Sequence, residues 1–291
     1  MLHYPATPAS DAIDTDDAAA TALLPRYLSR IGYRGPLAPT LEVLAALQAA
    51  HIAAIPFEAI DALTGAGIDI GADAVDAKLI GQRRGGYCFE QNSLFLRVLH
   101  AIGFEAEGLL GRVRWMLPDD APPTPRTHMV VRVTLRGRRW LTDVGFGAAV
   151  PPQPLAMDGE EAQPTAHESY RVVRHGAEWQ VALSIDGEWR TLYRIEDTPP
   201  PAIDYELGNW YTSAHPASHF RHQLIAARTT AEARYGLRDN RLTVRLADGR
   251  IDRRYLGADE IARALSEIFL LPVRPHWRAA IERAATAEIA G

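Results

Sequence analysis

Arg84-Gly85-Gly86-Tyr87-Cys88-Phe89-Glu90-Gln91-Asn92 holds the only cysteine of this 291-residue chain. Two glycines precede the thiol and an apolar run follows it. In that run Leu94 with Val98, and Phe95 with Leu99, are i,i+4 pairs on one helix face. Gly103 ends the run in a position that suits a helix C-terminus. Cys88 is therefore expected at the start of a helix. A single cysteine forms no intrachain disulfide and no thiolate zinc cluster. Two readings remain. A small buried hydrophobe is the commoner fate of a lone cysteine. A nucleophile is the other, and a helix N-terminus is one of the places that favours the reactive thiolate.

The segments on either side set the fold class. Upstream, Thr40 caps a helix whose Leu41, Leu44, Ala45 and Leu47 lie along one face, and the helix stops near Ile55-Pro56, because the residue before proline is pushed out of the helical region. The first hundred residues thus read as helical. From about residue 106 the pattern changes to strands: Leu109 to Trp115, Thr127 to Leu135 and Arg139 to Phe146. Leu117 to Arg126, with four prolines and two aspartates, is a loop. Tyr170 to Ile195 continues as a meander with turns at His175-Gly176 and Asp186-Gly187. Pro199-Pro200-Pro201 breaks the pattern. Beyond about residue 215, helix and hairpin mix: Asp248-Gly249 marks a hairpin, and Ala258 to Leu271 reads as an amphipathic helix. No internal repeat is visible. Helical, then β, then mixed is the order of an α+β protein of two or three lobes, with Cys88 near the first junction.

A thiol becomes useful at neutral pH when a histidine takes its proton and a carboxylate orients the histidine. The strands offer such a pair. If Arg136-Gly137 forms a two-residue hairpin turn, Leu135 faces Arg138, Val130 faces Asp143 and His128 faces Gly145. Side chains alternate along a strand, so His128 and Asp143 share a sheet face as diagonal neighbours, roughly 7 Å apart at Cα. A three-residue turn places them on opposite faces. Gly145, opposite His128, leaves room for a substrate in this register. Cys88, His128 and Asp143, on a helix start and paired strands, follow the logic of papain-like and transglutaminase-like cores.

Composition narrows the partners. Net charge is -5, the isoelectric point is near 6.1 and 47% of residues are hydrophobic, which gives no nucleic-acid signal. Lys78 is the only lysine. No apolar stretch approaches the roughly 20 residues of a membrane span, and the N-terminus lacks a signal-peptide pattern. Residues 1–20, with Asp11, Asp14, Asp16 and Asp17, read as a flexible acidic extension, and a cytoplasmic location is expected. His215, His219 and His222 lack a His-Glu-x-x-His pattern, and Pro216 interrupts any helix there, so no metal is expected. Gly65-Ala66-Gly67 and Gly145-Phe146-Gly147 open no helix of a βαβ unit and are not dinucleotide loops. The Arg83-Arg84 pair is expected to be structural, with Glu58 or Glu90 as partner. Arg136-Gly137-Arg138-Arg139 reads as a solvated basic turn.

The nine residues around Cys88 closely resemble the signature of the arylamine N-acetyltransferases around their nucleophile. Thr127-His128 and Asp143-Val144-Gly145-Phe146-Gly147 resemble that family's other two catalytic segments, in the right order. Tyr27-Leu28-Ser29-Arg30-Ile31-Gly32-Tyr33 resembles its first helix, Ile55-Pro56-Phe57-Glu58-Ala59-Ile60-Asp61 its Ile-Pro-Phe-Glu-Asn-Leu-Asp, and Ser218-His219-Phe220 the segment where its third domain begins. The resemblance runs from about residue 24 into the C-terminal region. Three departures stand out. Ala59 replaces the usual asparagine, Gln48 stands where a histidine often precedes the matching His51, and the N-terminal extension is longer than typical.

The resemblance implies a three-domain fold: a helical bundle over residues 21–105 with the nucleophile, a β-barrel over 106–214 with His128 and Asp143, and an α/β lid over 215–291. It implies acetyl-CoA as co-substrate without a metal. Small aromatic amines or hydrazines are the implied acceptors, taken in ping-pong order, as in xenobiotic metabolism. It implies catalytic Cys88, His128 and Asp143, an acceptor pocket lined by Phe57, Val113, Trp115, Phe146 and Phe220, and coenzyme A contacts at Thr127 and Gly145. No nucleic acid or membrane partner is implied, and the state is monomer or homodimer. A related amide synthase with another acyl donor or acceptor would keep the three catalytic residues, as would a cysteine hydrolase. A non-catalytic binding protein on the same scaffold would have no need of them.

Overall fold

Helices form first, where the sequence places their caps. A computed structural model describes residues 23–288, so the expected extension over residues 1–20 lies outside the described residues. After helix α1 (23–31) comes α2 (Leu41–Ala54), with the Thr40 hydroxyl accepting from the Val43 N–H at 3.3 Å, and it stops one residue before Ile55-Pro56. Strand β1 (Phe57–Glu58) and helix α3 (Ile60–Thr64) follow. Helix α4 (Ala72–Asp76) runs directly into a π-helical turn, Ala77–Gly81. Helix α5 (Cys88–Ile102) starts at the cysteine and ends at Gly103, where φ is +97°. Its Leu94, Phe95, Val98 and Leu99 are buried in one core with Leu44 and Leu47, so the i,i+4 pattern does face inward.

The middle of the chain forms seven antiparallel strands: β2 (Glu105–Val113), β3 (Arg126–Leu135), β4 (Arg138–Thr142), β5 (Leu155–Ala156), β6 (Tyr170–His175), β7 (Glu178–Ile185) and β8 (Glu188–Glu196). Their order is β5-β4-β3-β2-β8-β7-β6, which brings the two edges toward each other. Gln163 spans the remaining gap. Its backbone pairs with Tyr170, while its side-chain amide exchanges two hydrogen bonds with the Ala156 backbone, at 2.7 and 2.9 Å. The sheet is therefore a nearly closed barrel around Leu109, Val130, Leu141, Tyr170, Val181 and Ile195.

The first hairpin has the two-residue turn expected for it. Leu135 pairs with Arg138 and Val131 with Thr142. Arg136 and Gly137 have φ of +51° and +75°, as a type I′ turn requires. The ladder stops at Thr142, however, so the strand is shorter than Arg139 to Phe146. Asp143 and Gly145 lie in the segment just beyond it, and His128 pairs with Gly111 of β2 instead. The strand expected from Leu109 to Trp115 is displaced as well. It starts at Glu105 and ends at Val113, and Trp115 falls in the following turn.

Pro201 precedes helix α6 (Ala202–Ala214), and the remainder forms β9 (Ile225–Thr229), β10 (Ala233–Arg238), β11 (Arg241–Leu246), β12 (Ile251–Tyr255), α7 (Ala258–Glu267) and α8 (Arg278–Ala285). Helix α7 ends short of the expected Leu271. Leu270 turns the chain with φ +55°, which carries Phe269 and Leu271 into the core on either side of it. The five-stranded sheet has the order β1-β9-β10-β11-β12. Its outer strand β1 comes from the region read as wholly helical, and Phe57 pairs with Ala227. Two residues are too short to show a strand period, which is why the sequence pattern does not reveal it. Among the described residues no helix is long and apolar enough to cross a membrane. At the meeting of these parts lies a small cluster of Phe57, Tyr87, Cys88, Phe89, Leu110, Met129 and Ala227, drawn from α5, the barrel and the five-stranded sheet.

Candidate active site

The loop before Cys88 is stitched to β1. Glu58 N–H donates to the Gly86 carbonyl at 3.0 Å, and Gly86 N–H donates to the Pro56 carbonyl. A Cβ on Gly85 would fall 2.1 Å from the Pro56 oxygen, so no other residue fits there without moving backbone. The helix then begins at Cys88, whose thiol is nearly buried and makes a long contact, 3.5 Å, to the Thr127 carbonyl. Glu90, in the first turn, takes the Tyr87 N–H at 3.1 Å. This is half of a capping box.

His128 arrives from β3 and Asp143 from the segment after β4. The Nε2 of His128 lies 2.7 Å from Asp143 Oδ2. That bond leaves the other ring nitrogen free for a second partner, and the Cys88 side chain is close enough to act on the His128 charge. Asp143 has no solvent exposure, yet its carboxylate is fully supplied with donors. The Tyr193 hydroxyl donates to Oδ2 at 3.0 Å, and Asn92 Nδ2 and the Gly145 N–H donate to Oδ1 at 3.0 and 2.8 Å. Burial alone would raise its pKa, but the His128 charge with the bonds from His128, Asn92 and Gly145 holds it below the ordinary carboxylate value. For His128, burial lowers the pKa, and the Asp143 carboxylate and the Cys88 side chain outweigh that and push it up to about 9. Both shifts favour an imidazolium–carboxylate pair, with the Cys88 sulfur on its far side.

Asn92, Tyr193 and Gln48 lie at the site, although the sequence pattern assigns none of them a role there. Asn92 stands four residues after Cys88, on the same helix face. Besides Asp143 it bonds the Met129 carbonyl and the Val144 N–H, so it fastens the helix to the segments that carry His128 and Asp143. Its i,i+4 spacing from the cysteine was the available signal. Gln48 is fully buried. It donates to the carbonyls of Asp143 and Pro151 and accepts from the Thr142 hydroxyl, so the departure from histidine supports the aspartate backbone. Tyr193 carries no local signal, since a barrel tyrosine is most often core. The Ala59 departure leaves α3 without a side-chain cap, and Glu58 Oε2 takes the Ile60 N–H instead.

Gly145 needs a correction. No space is left over it: a Cβ there would fall 2.6 Å from Cys88 Cα and 2.8 Å from Asn92 Nδ2. The missing side chain lets the aspartate segment press against the backbone of Cys88. The pocket residues divide into groups. Phe57 and Phe220, with ring centroids 5.9 Å apart, pack on the Cys88 cluster. Phe146 lies edge-on to His128 at 4.8 Å. Val113 is half-buried and pairs with Tyr193 in the barrel, and Trp115 packs against the barrel core. Thr127 borders a separate groove of about 300 Å³, shared with Leu110, Pro125, Leu207, Trp210 and Tyr211.

Beneath the helix start lies a cluster of charges. Arg84 pairs with Glu58 at 2.7 Å and with Asp61 at 2.8 Å. Of the two carboxylates expected for it, Arg84 takes Glu58, while Glu90 goes to Lys78 and Arg83 stays exposed. The basic turn is partly paired, with Arg138 on Asp158 and Arg139 on Asp197. Among the described residues no group of three or more His, Cys, Asp or Glu could hold a metal ion. His215 stacks on Tyr211, and His222 bonds the Pro216 carbonyl.

Residues 40–278 match the family model described as N-acetyltransferase. The arylamine N-acetyltransferase of Mycolicibacterium smegmatis is 44% identical over 246 residues, covering 84% of this chain and 90% of that one. The Escherichia coli arylamine N-acetyltransferase is 38% identical over 208 residues, 72% of this chain and 73% of that one. Among solved structures, the M. smegmatis arylamine N-acetyltransferase superposes with a TM-score of 0.85 at 40% identity, covering 91% of this chain and 99% of that chain. The Mycobacterium marinum arylamine N-acetyltransferase in complex with CoA gives 0.85 at 37% identity, covering 90% and 98%. Motif order, fold and these relatives agree, and the chain belongs to the arylamine N-acetyltransferase family of acyltransferases.

Proposed function

We propose that this chain transfers the acetyl group of acetyl-CoA to arylamines and arylhydrazines in ping-pong order, through an acetyl thioester on Cys88. The observation that carries this reading is the buried His128–Asp143 pair, 2.7 Å between Nε2 and Oδ2, turned toward a thiol at the start of a helix. The CoA complex of the M. marinum relative supports the donor, and the relatives' names support the acceptor class.

In the first half-reaction the Cys88 proton is held on His128, as the raised pKa of that histidine favours, and the sulfur attacks the acetyl carbonyl of acetyl-CoA. The tetrahedral adduct collapses, the carbon–sulfur bond to CoA breaks, and the leaving thiolate takes the proton from His128. One thioester replaces another, so the step is nearly isoenergetic. The Cys88 N–H lies in the first helical turn, where N–H groups have no intrahelical partner, and it suits the developing oxyanion. In the second half-reaction the acceptor nitrogen, neutral at pH 7 because arylamines are weakly basic, attacks the acetyl carbon. Its proton passes through His128 to the departing Cys88 sulfur. Asp143 holds the ring orientation and favours the imidazolium throughout.

Phe57, Phe146 and Phe220 present rings to a flat acceptor, with Val113 and Trp115 farther out on the barrel side. Thr127 and Gly145 flank the thiol on the side assigned to coenzyme A. The proposed division is 21–105, 106–214 and 215–291, with the last part covering the cleft. The deciding experiment is intact mass after incubation with acetyl-CoA alone. An adduct of about 42 Da on Cys88, discharged by an arylamine, is the expected result for covalent nucleophilic catalysis. No adduct, or equal activity in Cys88→Ser, refutes the mechanism. Discharge at one rate with and without amine supports hydrolysis, and an adduct that no simple arylamine discharges supports amide synthesis.

A further inference from the structure

Thirty of the 31 Lys and Arg side chains are arginine, and the one lysine is not on the surface. The Lys78 side chain is 11% exposed, and its ammonium lies 2.8 Å from Asp61 Oδ2 and 2.7 Å from Glu90 Oε1. Two carboxylate oxygens from different segments converge on one atom. A compact ammonium meets that arrangement, and the planar fork of a guanidinium does not. The neighbouring Arg84 takes the other oxygen of Asp61 together with Glu58. Lys78 sits in the π-helical turn Ala77–Gly81, closed by Gln82 N–H to the Ala77 carbonyl at 2.8 Å. Such one-residue insertions are common at functional sites.

We infer that Lys78 is a positioning residue for the nucleophile. It pins and neutralises Glu90, whose other oxygen holds the Tyr87 N–H and so fixes the turn that carries Cys88. The inference rests on the reading of Cys88 as nucleophile and names a device that serves it. Without Lys78 the cluster holds Glu58, Asp61 and Glu90 against Arg84 alone, with Glu90 buried two residues from the thiol. The charged and titratable groups around Cys88 are His128, backed by Asp143, from the barrel side, and Tyr87 and Glu90 in its own turn. Behind Glu90 stand Lys78, Asp61, Arg84 and Glu58. Of these, Glu90 is the carboxylate left without a direct cation when Lys78 is replaced, since Asp61 keeps Arg84.

The test is the pH profile of Cys88 alkylation by iodoacetamide, in which the sulfur displaces iodide, measured on wild type, Lys78→Met and Lys78→Met/Glu90→Gln. Lys78→Met is expected to gain a titration step absent from wild type, as Glu90 ionises unpaired. Above that step alkylation falls by roughly tenfold, a modest effect for one unpaired buried carboxylate two residues from the thiol. In acetylation assays kcat falls while the KM for acetyl-CoA stays level. Glu90→Gln in the same chain keeps an acceptor for Tyr87 and removes the charge, so the double variant should lose the extra step and recover its rate.

A merely structural lysine would lower the melting temperature without adding a titration step, and the double variant would not recover. Either result overturns the inference. If Lys78→Met fails to fold, Glu90→Gln alone decides. Alkylation at the wild-type rate or faster agrees with the inference, and a tenfold fall overturns it. A wild-type Cys88 that neither alkylates nor acetylates refutes the nucleophile itself, and the inference with it. A normal wild type beside an unaltered Lys78→Met refutes the lysine's role alone.

Discussion

His128 Nε2 lies 2.7 Å from Asp143 Oδ2, with one partner 2% exposed and the other fully enclosed. The donors around Asp143 keep it ionised despite its burial, so the histidine proton has a fixed address. Asp143→Asn preserves shape and removes the charge. The amide would present an N–H to Nε2 and hold the ring in the wrong tautomer. Loss of kcat by about 10³–10⁴ is expected, the scale found when a catalytic histidine loses its carboxylate. Stopped-flow acetylation of Cys88 measures it, and a loss under tenfold would contradict the assigned role.

The same pair sets a pH window for stability. The folded pKa of His128, pushed up to about 9 from an ordinary 6.5, means that the native state binds this proton more tightly than the unfolded chain. Its contribution is therefore complete below about 6.5 and disappears as pH rises through 9. Asp143 runs the other way. Its folded pKa is held below the ordinary 3.8, so its contribution is present above that value and is lost as pH falls through the lowered one. Urea midpoints of wild type and His128→Gln should differ most near pH 5–6, and the gap should shrink through about pH 9. A gap independent of pH across that range counts against a protonated His128 in the resting protein.

Gly145→Ala places a methyl carbon 2.6 Å from Cys88 Cα, a backbone atom that a side chain cannot displace cheaply. The expected cost is about 1–3 kcal/mol of stability from overpacking. Activity should fall further than stability, because the atom that must move carries the thiol proposed as nucleophile. Equilibrium unfolding beside single-turnover acetylation separates the two. Wild-type activity in this variant would show that the close approach does not matter.

Legibility of the site followed from periodicity. Arg136-Gly137 sets the register of β3 and β4, so the sequence could place His128 and Asp143 on one side of the sheet. The last step was not visible. The ladder ends at Thr142, and contacts 50 or more residues away, from Tyr193 and Asn92, draw Asp143 to its final position. Gly145 was legible as a missing side chain but not as what filled the gap, because packing across separate segments has no local period. β1 was hidden for another reason: a two-residue strand is defined by its partner Ala227, not by its own pattern. Lys78 was conspicuous in composition, and only the convergence of Asp61 and Glu90 gives its rarity a physical meaning.

The acceptor side can be tested apart from the thioester. Phe57 is a poor probe, since it is held between Gly86 and Ala227 and its loss would disturb the loop before Cys88. Phe220 is half-buried in a short 3-10 turn, and its ring faces Phe57 and Tyr87. Phe220→Ala should leave the rate of Cys88 acetylation by acetyl-CoA within about twofold, since neither His128 nor Asp143 contacts that ring. The KM for a flat arylamine should rise roughly tenfold, equivalent to about 1.4 kcal/mol of lost aromatic contact. The proposed ping-pong order permits the two measurements on one sample, by a burst without acceptor and then by discharge with it. Equal slowing of both halves would place Phe220 in support of the thiol rather than in the acceptor pocket.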